Sequence, residues 1–495
     1  MFGDNSADKI ESAPAPHLER TPQNLGQNFS KTGNQLYLGI RQTFQANSPK
    51  NLDFHSRPDT VPQFMLFPIA MLNLILVQKY CGALLVLLLA WSTAAVRAEL
   101  KLETQQITFG PKHHFYGYIG HVQNIPWNQS GRYLVALRTS FQDHLPQAHE
   151  AAEIVLLDTR SNYAARVVAE TRAWNPQQGT MLYWNPDAPE TQFFFNDRDP
   201  KTGKIFCVLF DITAGNGGKR IREFRFDDTP IGNSGVAQKG GWFAAINYAR
   251  LARLRAVTGY PETYDWTKGV KHPTDDGVFL VDIHTGRKRL LVSFKQLADF
   301  IRPQRPDVDQ VDLFINHTLN NRESDRIFFF VRGNFDDKAN RINQGFIIRP
   351  DGTGLTPMKQ FIGGHPEWES GPRMIGDVDG RQIIYDTDRQ EIVGTLGTRE
   401  IFPTPGGDVA LSPDGKWLIN GHRDGAINYY TFFRRADGAW TRSQGFDVQG
   451  WSFGDLRCDP APCWNRNNRE VVFPAIAKDG TRQMFLLRLS PGTPP

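Results

Sequence analysis

The chain has 495 residues, and 56 Lys and Arg against 52 Asp and Glu leave a formal charge of only +4. That balance excludes an electrostatic case for nucleic-acid binding. Charged residues at 22% and hydrophobic residues at 40% exclude disorder for the bulk, and 4 Cys exclude a disulfide-dense scaffold.

Residues 1–62 are rich in Asn, Gln, Ser and Pro and lack apolar periodicity. That is the composition of a disordered extension, and one that a start at Met71 would leave untranslated. Residues 63–98 are mostly apolar, from Phe64 to Val96, with a break at Gln78–Tyr80. Lys79, the run Cys81–Val96 and the small residues around Ala98 have the order of a secretory signal. Read at full length, the same stretch is a single membrane anchor, or a buried helix. The first two readings place residues 99–495 outside the cytoplasm, periplasmic or extracellular, and any membrane contact is through this segment alone.

From residue 99 onward, two kinds of short segment alternate. Trp127–Leu137, Asn320–Phe330, Leu411–Ile419 and Trp464–Phe473 carry a polar turn between apolar ends. Ile154–Thr159, Phe206–Ile212, Val278–Gly286, Gly345–Gly352, Ile427–Phe433 and Met484–Leu489 are apolar runs that end in turn residues. Paired, they predict about seven four-stranded units of roughly 57 residues, the pattern of a β-propeller. The expectation is an all-β, monomeric, single-domain propeller over 99–495, with seven antiparallel blades and six or eight left open. Asn247–Val257 departs from the β pattern and reads as a short helix or an insertion.

Several motifs then follow in order: Pro111–Tyr118, Ala173–Gly179 with Tyr183-Trp184, Phe195–Arg198, Asn247–Leu251, Asn316-His317, Gly364-His365, the Ser412–Gly415 turn and Cys458-Asp459. Together they resemble secreted propeller polysaccharide lyases, the ulvan lyases and, more distantly, the oligogalacturonate lyases. The resemblance implies eliminative cleavage of an acidic, uronate-containing polysaccharide or oligosaccharide. That chemistry needs a cation or metal at the carboxylate, a base at the adjacent carbon and an acid at the leaving oxygen. No nucleotide or redox cofactor is implied.

The resemblance assigns the carboxylate neutraliser to Arg250 and leaves His113, His114 and Tyr118 as proton-transfer candidates. Sixteen residues before Arg250, where a Tyr is implied, stands Ser234, and no His occupies Gln177–Gln178 or Asn196–Asp197. These departures keep a non-catalytic carbohydrate-binding or protein-interaction propeller as the alternative. Trp174, Gln177, Gln178 and Asn196 offer stacking and amide contacts to sugar hydroxyls. His317, His365, Asp408 and Cys458 are the implied ligands of a divalent metal, Zn²⁺ or Mn²⁺. His422 also lies one blade on from His365, and Ala461 stands where a relative's His would follow Cys-Asp. For Cys458 and Cys463, a local disulfide, a metal ligand at Cys458 and two free thiols all remain open.

Overall fold

The computed structural model describes residues 100–117 and 124–491. The predicted extension, the apolar segment and Tyr118 lie outside the described residues.

Five antiparallel blades of four strands are formed, and burial decides how each strand reads in sequence. In one blade, Gln192–Arg198 and Ile205–Asp211 are buried almost throughout, whereas the edge strand Lys219–Phe224 alternates between exposed and half-buried. The middle strands pack against neighbouring blades on both faces, so they appear as continuous apolar runs such as Phe206–Phe210. Three further blades pair consecutive strands in order, with His113–Phe115, Gly232–Val236 and Phe314–Asn320 each at one edge. The fifth joins the two ends of the described chain. Leu100–Gln106 runs antiparallel to Arg482–Pro491 over seven pairs, from Leu100↔Pro491 to Gln106↔Phe485, and Cys463–Trp464 forms the opposite edge.

Nine other strands form one sheet in place of further separate blades. It consists of an antiparallel run over Gly363–Thr395 and a second over Asp408–Asp447, joined by a single parallel pair, His365↔Asp408. The even division into seven blades expected from the repeat spacing is therefore interrupted at this junction, where two edge strands come close enough to bond.

Three tryptophans recur at equivalent packing positions. Trp184, Trp368 and Trp464 are buried, and their indole N–H groups donate to the carbonyls of Pro126 (2.7 Å), Leu319 (2.8 Å) and Ala410 (3.0 Å) in the preceding repeat. Each staples one repeat to the next while burying a large apolar area. The segment that departs from the β pattern is a helix, Tyr248–Leu254, capped by the Asn247 side chain on Arg250 N–H. Among the described residues no helix is long and apolar enough to cross a membrane.

Candidate functional site

The turn after Trp174 is built by Asn175. Its side chain accepts the N–H groups of Gln177 (3.0 Å) and Gln178 (2.7 Å) and donates to Gly259 O (3.1 Å). Gly179, in the left-handed region at φ +60°, closes the turn, and a Cβ on neighbouring Gly117 would stand 2.6 Å from the Gly179 Cα. Only glycine permits this approach. The turn directs both glutamines at residues from distant blades. Gln178 Nε2 lies 3.3 Å from Asn316 Oδ1 and 3.4 Å from His317 Nδ1, while Gln177 Oε1 accepts from Arg457 Nη2 at 3.2 Å.

His317 sits at a break in the ladder between Asn316 and Leu319, with φ +57°. Its ring meets that of His365 edge-on, with centroids 5.3 Å apart. His365 in turn bonds through Nδ1 to Oδ1 of Asp408, its partner across the parallel junction. Asp408 is buried, whereas the His365 side chain is 28% exposed. Asp459 completes the cluster. Its Oδ1 accepts from Arg457 Nε at 2.8 Å and lies 3.8 Å from Arg423 Nη2, while its buried Oδ2 has no hydrogen-bond partner. Burial, and then the Asp408 carboxylate, raise the Asp459 carboxyl above the usual range, and the His365 ring is among the groups it feels. Beneath lies a cavity of about 20 Å³, lined by Tyr116, Gln177, Asp459, Ala461, Cys463 and Arg482 among others. It has room for about one water molecule.

The arrangement has the elements of acid–base chemistry. A carboxylate orients an accessible imidazole, and a second carboxyl is pushed towards its protonated form beside it. Gln177, Gln178, His317, His365 and Asp408, all anticipated from sequence, are brought together. Asp459, Arg457 and Arg423 were missed as site residues. The Cys458-Asp459 motif carried the signal, but the role was given to the cysteine.

Other expected residues are placed elsewhere. Arg250 is 1% exposed and fully engaged: Nε donates to Leu313 O (2.6 Å), Nη1 to Thr267 Oγ1 (3.0 Å) and Val270 O (2.9 Å), and Nη2 to Lys271 O (2.5 Å). Its guanidinium also lies 4.6 Å from the Phe294 ring centroid. It is a structural clamp, closed to a ligand carboxylate. His114 is buried against Gln483 Oε1 (3.0 Å), and burial lowers its pKa to about 4, so it stays neutral. His113 accepts the Arg482 N–H at 3.1 Å, and burial lowers its pKa too. Trp174 is buried and donates to Glu150 O at 3.0 Å, which makes it packing. Asn196 is fully buried, and its amide is spent on Asn233 and the Tyr260 hydroxyl. Ser234, at the implied Tyr position, is a buried hydroxyl bonded to Thr318.

The expected metal ligands gather only in part. Among the described residues no three His, Cys, Asp or Glu side chains converge on a point that could hold an ion. The Asp408 Oδ1 is taken by His365, and the Cys458 thiol is buried and pushed up by that burial, away from the thiolate that binds metal. The donor set does not fit Zn²⁺ or Mn²⁺. Cys458 and Cys463 are buried free thiols, not a disulfide, and His422 lies apart, stacked on Tyr429 at 5.6 Å.

No family model and no curated protein matches the chain. Among solved structures, TolB from Acinetobacter baumannii is 13% identical over 79% of this chain and 96% of its own, with a TM-score of 0.35. The β-propeller domain of the Trilobed protease from Pyrococcus furiosus is 13% identical over 81% of this chain and 97% of its own, with a TM-score of 0.40. No function passes from either to this chain, and neither extends the likeness to polysaccharide lyases.

Proposed function

We propose that this propeller binds an acidic saccharide at the axial cluster and cleaves it by β-elimination, with His365 as base and Asp459 as acid. The observation that carries the reading is the His365–Asp408 pair beside the raised, half-satisfied carboxyl of Asp459. In such a reaction the imidazole takes the hydrogen next to the uronate carboxylate, and Asp408 stabilises the imidazolium that forms. Asp459, through the one water that its cavity admits, gives a proton to the departing glycosidic oxygen. The water-sized cavity admits no sugar ring, so the saccharide is met above it, by the exposed edges of His365 and Arg457.

We also infer that each antiparallel run of the nine-stranded sheet is a blade, giving a seven-membered ring. The single parallel pair between the runs supports this. The N-terminal apolar segment supports export or anchoring on sequence grounds alone.

The test is incubation of the purified full-length protein with a panel of uronate polymers, with and without divalent cations, following ultraviolet absorbance of the unsaturated product. His365→Gln and Asp459→Asn should each lower the rate by about 100-fold or more. Absence of product on every polymer would remove the lyase reading. Saturable binding without turnover would then favour the non-catalytic alternative, which the Ser234 substitution already supports.

A further inference from the structure

Beside the axial cluster, three arginines surround one phenyl ring. The Phe335 ring centroid lies 4.1 Å from the guanidinium carbon of Arg255, 4.8 Å from that of Arg332 and 4.2 Å from that of Arg341. They come from separate places. Arg255 ends the helix Tyr248–Leu254, Arg332 lies in strand Ile327–Gly333, and Arg341 precedes strand Ile342–Ile348. Phe335 is in the hairpin between those strands.

Direct charge pairing is missing. Among the described residues, none of the three arginines has a carboxylate within 4.0 Å, whereas Arg132, Arg302 and Arg326 each pair with an aspartate at 2.7–3.0 Å. The Nε groups of Arg255 and Arg341 are buried without any hydrogen-bond partner. Arg332 is 8% exposed, and its one hydrogen bond is to Asn343 Oδ1 at 2.9 Å, a neutral acceptor. Burial, and then the like charges of Arg255 and Arg341, lower the Arg332 pKa to about 9. Burial, and then the like charge of Arg457, lower the Arg255 pKa as well, and Asp336 and Asp455 oppose this only from a distance. A cation–π contact offsets only part of the cost of burying an unpaired charge. Three rigid forks around one ring, with no carboxylate in contact among the described residues, are arranged for a ligand that brings the negative charge.

We propose that Arg255, Arg332 and Arg341 form an oxyanion subsite around Phe335, which takes a carboxylate or sulfate group carried by the ligand. The subsite adjoins the acid–base cluster. Arg332 also packs 4.5 Å from the Phe330 centroid, and Phe330 meets the His317 ring at 6.2 Å. An anionic group held here would orient a saccharide towards His317 and His365. The subsite stands on its own geometry, so it can hold an anion whether or not the cluster turns over.

The full-length protein is titrated with sodium sulfate, inorganic phosphate and a monomeric uronate, with ionic strength held constant by chloride, and followed by calorimetry and thermal midpoint. Saturable binding is expected for the wild type. Arg341→Gln should weaken it by about 10-fold or more, as expected for one charge-assisted contact. Arg332→Met, which removes a buried unpaired charge, should lose the response and unfold at a higher midpoint than anion-free wild type. Tighter binding of uronate than of sulfate assigns the group to a carboxylate, and the reverse assigns it to a sulfate ester. No saturable response to any of the anions, or equal responses in wild type and both variants, would overturn the proposal. The elimination assay would be untouched by that failure.

Discussion

Arg250 gives the sharpest test of whether a residue resembling a catalytic one has become scaffold. Replacing it with Ala would leave the carbonyls of Leu313, Val270 and Lys271 and the Thr267 hydroxyl without their common donor. An orphaned buried polar group costs about 1–3 kcal/mol. With partial relaxation of the four, the loss is about 4 kcal/mol. Unfolding entropy of about 2.1 cal/mol/K per residue over roughly 390 residues converts that loss to a fall of about 5 °C in Tm. Arg250→Lys should lose nearly as much, since one ammonium cannot reproduce a fork that reaches three carbonyls. The assay is scanning calorimetry of both variants, paired with uronate binding at a temperature where all remain folded. A variant with wild-type stability and abolished binding would refute the clamp and return Arg250 to the ligand.

Two further outcomes follow from buried titratable groups. His422 is buried, and its pKa is lowered to about 4, so between pH 6.5 and 4 the unfolded chain takes up a proton that the fold refuses. Its stabilisation is present above about pH 6.5 and lost as the pH falls towards 4. His422→Phe, keeping the stack on Tyr429, should remove about 2 kcal/mol of the stability difference between pH 7 and pH 4; identical pH profiles of urea midpoint would contradict this. Cys207, Cys458 and Cys463 are buried, and burial raises all three thiols. They should resist alkylation at pH 8 in the native protein and react in denaturant, and an intact mass short of two hydrogens would instead indicate a disulfide.

The repeat was legible because each blade repeats the same local problem. An inner hairpin and an apolar middle strand recur at a spacing set by four strands and their turns, so the propeller could be read from composition and period. The junction between Gly363–Trp368 and Asp408–Leu411 could not, because a single backbone pair across two repeats leaves no periodic trace. The site was legible in part for a related reason. His317 and His365 lie one repeat apart and share an inner position, which spacing reveals. Arg250 was misread because its motif describes a capped helix equally well, and only the carbonyls around it show where its guanidinium is spent. Asp459 was passed over because nothing local marks a carboxyl as buried; its environment comes from Asp408, Arg423 and Arg457, some two to fifty residues away in sequence.

What brings these groups together is backbone proximity, and glycine makes that possible at the two places that matter. Gly364, at φ +72°, stands where a Cβ would lie 2.6 Å from the Gly406 carbonyl oxygen. The two edge strands can therefore approach closely enough for His365 to pair with Asp408. At Gly421, a Cβ would run into the carbonyl oxygen of Pro460. The missing side chain is the notch that lets the Cys458–Cys463 segment pack against this strand and set Asp459 beside Asp408. His365, Asp408 and Asp459 are thus drawn from three segments that share no hairpin. Their geometry depends on two residues without side chains as much as on the groups that would transfer protons. Substitution at either glycine should disturb His365 and Asp459 together, whereas changes in the blades' outer strands should leave the pair in place.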